Sequence, residues 1–137
     1  MMKKFILFLL FASFQQYCRA EMVVVMNANS SIVNVSREQV ADVFLGRSKS
    51  LANNEKIIPL ESKEDDKNYI DFHENVTRKN STQLKAHWAK MVFAGKAAPP
   101  KEVLPEEAIK LLEGSRDYIA YVDKKLVTVK MKIVFEY

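Results

Sequence analysis

The sequence is poor in cysteine, glycine and proline, with one Cys, three Gly and four Pro among its 137 residues. A lone cysteine excludes an intrachain disulfide framework and a metal site built from cysteines. The low glycine and proline content excludes a collagen-like or low-complexity chain. The length fits one domain and leaves no room for two.

The first twenty residues are predicted to be a cleaved secretory signal peptide. Two lysines precede an apolar run over residues 5–14, and small residues precede the predicted cleavage site between Ala20 and Glu21. About ten apolar residues, rising 1.5 Å each, are too short for a hydrocarbon core of about 30 Å. We therefore expect a periplasmic or secreted product, residues 21–137, without a membrane anchor after cleavage.

The charge of the chain is nearly balanced once this segment is removed. It holds three of the 21 Lys+Arg and none of the 17 Asp+Glu, so 18 basic residues remain against 17 acidic ones. A net charge near zero gives no electrostatic basis for binding nucleic acid or an anionic membrane. The segment also holds the single cysteine, Cys18, so the predicted mature chain has no thiol nucleophile.

Hydrophobic patterning predicts an α/β protein, a single mixed-sheet lobe with packed helices in the order β-α-β-α-α-α-β-β. A Val-rich first strand should be buried on both faces. Two capping boxes, Ser36 with Gln39 and Asn80 with Gln83, begin the first and third helices. Pro59 lacks an N–H, so one side of the second strand should lack a ladder partner. The predicted strands cover residues 22–26, 57–60, 118–122 and 126–135, and the predicted helices cover 36–46, 67–77, 80–95 and 105–114.

Two of these elements have one apolar side, which is expected to face the core. The third helix carries a stripe of four apolar residues, Leu84, Trp88, Met91 and Val92. The last strand has apolar residues at odd positions from 127 to 135, and its even positions, including Val134, are expected to form a largely wet face.

The three glycines, Gly46, Gly95 and Gly114, all follow predicted helical stripes, where a left-handed residue is needed. No glycine is left to build a phosphate-cradling loop or a dinucleotide turn, because both need close backbone approach to the phosphate. The sequence therefore excludes these two kinds of nucleotide-binding protein.

The two histidines, His73 and His87, do not have the spacing of a zinc site. They lie on two different predicted helices, and the pattern favours solvated or partly packed helix residues. Neither an activated nucleophile nor a metal cluster can be assembled from the sequence. We therefore expect a protein without catalytic activity, metal or cofactor.

The loop over residues 61–68 joins the second strand to the next helix, the position where ligands sit in open α/β lobes. The positive end of that helix would favour an anion. However, Glu64, Asp65 and Asp66 can satisfy the free N–H groups of the helix themselves. An acid-capped helix and an anion site therefore both remain open.

Several short motifs follow one another in an order that resembles a known family. They are Val43-Phe44-Leu45-Gly46-Arg47 at the end of a Ser-started helix, Ile58-Pro59-Leu60, residues 83–96, Pro99-Pro100 and Tyr118-Ile119-Ala120-Tyr121-Val122. In this order the chain resembles the short phosphate-ABC-transporter-type periplasmic substrate-binding-like proteins, which are similar to one lobe of the two-lobed phosphate-binding protein. The resemblance covers residues 21–137 and implies a periplasmic-binding-protein-like fold, export and a relation to phosphate uptake.

The resemblance also implies where a ligand would bind. The phosphate-binding relatives carry a Ser-Gly-Ser-Gly-Thr-like loop after the second strand, and this chain has Ser62-Lys63-Glu64-Asp65-Asp66 there. The relatives' Gly-x-Ile-Gly-Tyr becomes Asp117-Tyr118-Ile119-Ala120-Tyr121, which loses both glycines. We therefore expect phosphate or another small oxyanion to be held weakly or not at all. The residues expected to contact such an anion are Ser62, Lys63, Lys67 and Asn68, with Asn27 across the cleft.

Two functions remain open at this point. One is an exported, non-enzymatic solute-binding-like protein related to phosphate ABC transporter components. The other is an envelope protein–protein interaction or sensory accessory module without tight small-molecule binding. A single lobe leaves a ligand solvated on one side. Either a protein partner or a second copy of the chain completes the cleft, or the lobe does not bind small solutes tightly.

Overall fold

The computed structural model describes residues 21–137, so the predicted signal peptide and Ala20 lie outside the described residues. The elements, in chain order, are β1 (Met22–Asn27), α1 (Arg37–Phe44), β2 (Ile58–Glu61), α2 (Lys67–Phe72) with a π-helical turn (His73–Thr77), α3 (Ser81–Phe93), β3 (Lys101–Glu102), α4 (Pro105–Gly114), β4 (Tyr118–Asp123), a 3-10 turn (Lys124–Leu126) and β5 (Met131–Glu136). The predicted order is confirmed, with one addition. The two exposed residues of β3 have no apolar period from which a strand could be predicted.

The five strands form one mixed sheet in the order β3-β2-β4-β1-β5. β1 is antiparallel to both neighbours, and β2 is parallel to β3 and β4. All six residues of β1 are buried, which confirms a first strand covered on both faces. Pro59 pairs with β4, whereas β3 pairs with β2 from Leu60 onward, so Pro59 interrupts no ladder on its other side.

Alternate residues of β1 serve two hydrophobic cores, one on each face of the sheet. Val24 belongs to the core that contains Phe44 of α1 and Phe72 of α2. Val25 belongs to the core on the opposite face, which includes Leu112 of α4. Because successive side chains of a strand point to opposite faces, β1 joins the two layers of helices.

The prediction for the last strand is wrong about the residue at which the strand begins and about which of its side chains face the core. The chain forms a 3-10 turn at Lys124–Leu126, and β5 begins at Met131. The register against β1 shifts between Val24 and Val25, which leaves Val134 as an extra residue on β5. This bulge turns Val134 inward, where it is 3% exposed, while Val129 in the preceding turn is 96% exposed.

Both predicted capping boxes are present, at Ser36 with Gln39 and at Asn80 with Gln83. The glycines that follow these two helices have left-handed backbones, as expected, with φ of +69° at Gly46 and +65° at Gly95.

The expectation for Gly114 is wrong, because this glycine is the last residue of α4 and does not have positive φ. The side chain of Asn27 closes this helix end instead, donating to the carbonyls of Leu112 at 2.8 Å and Glu113 at 3.1 Å.

The apolar stripe predicted for α3 faces the core only in part. Leu84 is buried against Leu45 and Tyr69, Trp88 and Met91 are half-buried, and Val92 is 55% exposed. Phe93, which follows the stripe at the end of the helix, is 95% exposed.

Candidate functional site

The candidate site lies at the carboxyl end of β2, where the chain passes toward α2 beside the ends of β3 and β4. Two cavities flank this point, a small one of about 50 Å³ and a larger cleft of about 310 Å³. Glu61 and Ser62 line both. We call the larger one the β2 cleft, and its other walls include Glu64, Glu102, Tyr69, Trp88 and the Pro99–Pro100 segment.

The backbone N–H of Ser62 is occupied within the protein. It donates to the Tyr121 hydroxyl, with 3.1 Å between the two heavy atoms. Burial, followed by the nearby Glu61 carboxylate, raises the pKa of Tyr121 well above its ordinary value, so the phenol stays neutral at physiological pH. The first N–H group after β2 is therefore not free to hold an anion.

The start of α2 is closed by its own acidic residues. The N–H of Asn68 donates to Asp66 Oδ1 at 2.7 Å, which makes Asp66 the cap of this six-residue helix. Glu64 turns the other way, and its Oε1 lies 3.8 Å from Lys85 Nζ on α3. The acid-capped alternative is thus the one present, and it uses a donor that an anion would need.

The structure brings together only part of the predicted anion-binding set. Ser62 and Asn68 both line the small cavity. Lys63 and Lys67 are exposed, and neither lines the two cavities. Asn27 lies at the opposite end of β4, because β1 runs antiparallel to β4 while β2 runs parallel to it. Its side chain is engaged at the end of α4, so it does not face Ser62 across a cleft.

A buried polar group that sequence reasoning missed lies behind the β2 cleft. His73 is 1% exposed, so the expectation of a solvated or partly packed residue is wrong. Its Nε2 lies 2.7 Å from Glu61 Oε1, and its Nδ1 lies 2.9 Å from Thr77 Oγ1. The Thr77 hydroxyl donates to the His73 carbonyl at 3.0 Å, which leaves the hydroxyl oxygen able to accept from Nδ1–H.

The buried position of Glu61 changes the pKa of its carboxyl group. Burial raises the pKa of its carboxyl, the contact with His73 lowers it part of the way, and the neighbouring Glu102 raises it. The sequence offers one weak signal for the group, the His73/Thr77 spacing of four on a helix. Nothing in the sequence connects these residues to Glu61 at the end of a strand.

His87 has a structural contact that is separate from this group. Its Nε2 donates to the carbonyl oxygen of Leu45 at 2.7 Å, and its ring lies edge-on to Trp88 with 4.9 Å between centroids. Within residues 21–137, no three His, Cys, Asp or Glu residues converge to hold a metal ion. Within the same residues, no helix is long and apolar enough to cross a bilayer.

The chain is similar in fold to solved phosphate-transport proteins. Neither a family model nor a curated protein matches it. It matches an ABC-type phosphate transport receptor from Vibrio cholerae (TM-score 0.61, 14% identity, 83% of this chain and 45% of that one). It also matches a putative phosphate ABC transporter substrate-binding protein with bound phosphate from Clostridium perfringens (0.60, 11%, 83% and 44%). A third match is PstS from Borrelia burgdorferi (0.61, 13%, 84% and 46%).

These matches confirm the fold expected from the motif order, a mixed-sheet lobe like those of periplasmic binding proteins. The chain spans less than half the length of each matched structure. At 11–14% identity the likeness shows the fold alone.

Proposed function

We propose that residues 21–137 form a non-enzymatic solute-binding lobe that is exported to the periplasm or secreted after cleavage at Ala20. Its fold is shared with an ABC-type phosphate transport receptor and with a putative phosphate ABC transporter substrate-binding protein. The single observation that carries the proposal is the β2 cleft, about 310 Å³ in volume, at the carboxyl end of β2. A cleft of this size at the carboxyl ends of parallel strands is typical of small-ligand sites.

The residues around the β2 cleft favour weak phosphate binding at most. The N–H groups of Ser62 and Asn68 already donate to Tyr121 and Asp66. Glu61 and Glu102 both line the cleft, and a phosphate placed there would be repelled by their carboxylates. The two lysines expected to offset this charge, Lys63 and Lys67, do not line it.

Thermal unfolding of residues 21–137 with and without sodium phosphate tests this part of the proposal. A ligand at 100 times its dissociation constant stabilises a fold by about 2.7 kcal/mol. We expect 10 mM phosphate to raise the midpoint no more than sodium chloride of equal ionic strength does. Stabilisation near 2.7 kcal/mol by phosphate, absent with chloride, would contradict it.

The second candidate function is an envelope interaction or sensory accessory module, in which a partner protein or a second copy covers the open side. The exposed apolar end of α3, with Phe93 95% exposed and Val92 55% exposed, favours this candidate. Sedimentation velocity on residues 21–137 and on a Phe93→Ser variant tests self-association. A dimer lost in the variant would support the module, and a monomer at 100 µM with no recovered envelope partner would count against it.

A further inference from the structure

We propose that the β2 cleft binds a small free organic cation that carries an alkylammonium group. The inference rests on the proposed solute-binding function and specifies the ligand class of the same site. It depends on the carboxylates of the cleft, its aromatic walls and its shape.

Two carboxyl side chains, Glu61 and Glu102, line the β2 cleft where β2 and β3 end. Glu61 and Glu102 are register partners in the parallel pairing of β2 with β3, so two side chains of like charge lie next to each other. Like charges at neighbouring positions destabilise a sheet unless something neutralises them. Among the described residues that line the cleft, Lys85 is the one basic residue. Its Nζ lies 3.8 Å from Glu64 Oε1. A ligand that brings positive charge to Glu61 and Glu102 would remove their repulsion.

Glu61 also offers a buried acceptor. Its side chain is 7% exposed, and among the described residues its hydrogen bond is made through Oε1, to His73. The second carboxylate oxygen therefore retains its acceptor capacity, and Glu61 lines both cavities. An ammonium group has three N–H donors and no acceptor, which matches this arrangement.

Aromatic and proline side chains also line the β2 cleft. Tyr69 and Trp88 line the β2 cleft together with Pro99 and Pro100. Aromatic faces attract cations, Trp most strongly, and the attraction grows when water is excluded. The alkyl part of the ligand would lie against the proline and aromatic carbon atoms, as in other small-molecule sites. These walls distinguish the cleft from an acidic surface loop.

The same geometry argues against a bare metal ion as the ligand. Metal ions need several oxygen ligands that converge within about 2.6 Å of one point. No three acidic or histidine residues in the described chain meet that requirement. A volume of about 310 Å³ instead suits an organic molecule.

The experiment uses Trp88, the single tryptophan of the chain, as a reporter inside the site. Residues 21–137 are titrated with 1,4-diaminobutane while Trp88 fluorescence is recorded, at constant ionic strength. We expect a saturating change with half-saturation below about 1 mM. The uncharged 1,4-butanediol, which has the same chain length, should give no saturating change.

Two variants test whether the carboxylates carry the binding. Glu102→Gln removes an exposed carboxylate of the cleft, and we expect it to weaken diamine binding by about threefold to fivefold. Glu55→Gln removes an exposed carboxylate that does not line the cleft, and the dissociation constant should stay unchanged. Equal weakening by both variants, or by neither, would overturn the proposal.

Titrations with other ligands distinguish an error in the proposed ligand class from an error in the proposed solute-binding function. Saturation by phosphate and not by the diamine would overturn the cation proposal and leave a solute-binding lobe. Saturation by neither would count against both. A response to magnesium chloride equal to that of the diamine would show unspecific cation binding and overturn the inference. Tighter binding of acetyl-Gly-Lys-Gly-amide than of the diamine would indicate that the cleft binds a lysine side chain of a protein. That result would overturn the proposal of a free solute.

Discussion

At the scale of single residues, Glu61 links the interior of the protein to its candidate site. One carboxylate oxygen is held by the buried His73, and the same residue lines two cavities. Keeping a carboxyl group in this place requires that its charge be partly suppressed, because burial penalises the ionised form. The residue therefore affects both the stability of the fold and the charge of the cleft.

Glu61→Gln should change how stability depends on pH. Burial raises the pKa of the Glu61 carboxyl above the unfolded value of 4.5. Its contribution to stability is then fully present below about pH 4.5 and is lost as the pH rises through the folded value. One such group changes the unfolding free energy by at most about 1.4 kcal/mol per pH unit. Urea unfolding from pH 4 to 8 should show a flatter profile for Glu61→Gln than for the natural chain.

The exposed Glu64→Gln variant is the matched control for this pH series. Glu64 is 56% exposed in its ion pair with Lys85, so its removal should leave the profile nearly unchanged. Parallel profiles for the natural chain and Glu61→Gln would show that Glu61 has no raised pKa in the folded state. Such a result would mean that the buried contact between His73 and Glu61 does not affect the charge of the cleft.

Gly46 is required both for its backbone conformation and for the space around it. Its φ is +69°, and an added Cβ would lie 2.7 Å from the Cβ of Ala97 and 3.2 Å from the Trp88 ring. A left-handed alanine alone costs about 1–2 kcal/mol. We expect Gly46→Ala to cost at least about 2 kcal/mol in chemical denaturation and to displace Trp88.

Gly95→Ala separates the two causes of that loss. Gly95 has nearly the same φ, +65°, but among residues 21–137, apart from Gly95 and its two chain neighbours, no heavy atom lies within 4 Å of the Cβ position. Its substitution should cost about 1 kcal/mol and leave Trp88 fluorescence unchanged. If both variants lost the same stability, the close approach of Ala97 to Gly46 would have no energetic role.

At the scale of whole elements, the predictable parts are those whose signals are local. The capping boxes at Ser36 and Asn80 need three residues of sequence, and both formed as expected. Which side chains of β5 face the core depends on a bulge against β1, and no residue of β5 predicts this bulge. The position of Glu61 beside His73 depends on how α2 packs on the sheet. Local sequence patterns therefore predict the helices and strands, whereas the candidate site depends on how these elements pack together.

Val134→Ala and Val129→Ala test the observed facing of β5. Val134 is 3% exposed in the bulge, and its truncation should cost about 1.5–3 kcal/mol. Val129 is 96% exposed, and its truncation should change stability by less than about 0.5 kcal/mol. Urea midpoints of the two variants provide the measurement. A larger loss of stability for Val129→Ala than for Val134→Ala would support the simple alternation that the sequence suggests.

At the scale of the whole molecule, the β2 cleft depends on both layers of the lobe. Tyr69 and Leu84, which line it, pack with Leu45 on one side of the structure. Leu60, which precedes Glu61, packs with Val103 and other residues of the opposite core. The shape of the cleft is therefore fixed by the sheet together with the helices on its two faces. Loss of either layer should open it.

β1 should make these two layers unfold together. Val24 and Val25 are both fully buried, one in each core, so each truncation to alanine should cost about 1.5–3 kcal/mol. If the lobe is one cooperative unit, both variants lower amide protection equally in α1 and in α4. Hydrogen exchange of residues 21–137 measures this. A Val24→Ala effect confined to α1, with α4 protection unchanged, would show two separately stable layers, in which case the cleft between them could open without global unfolding.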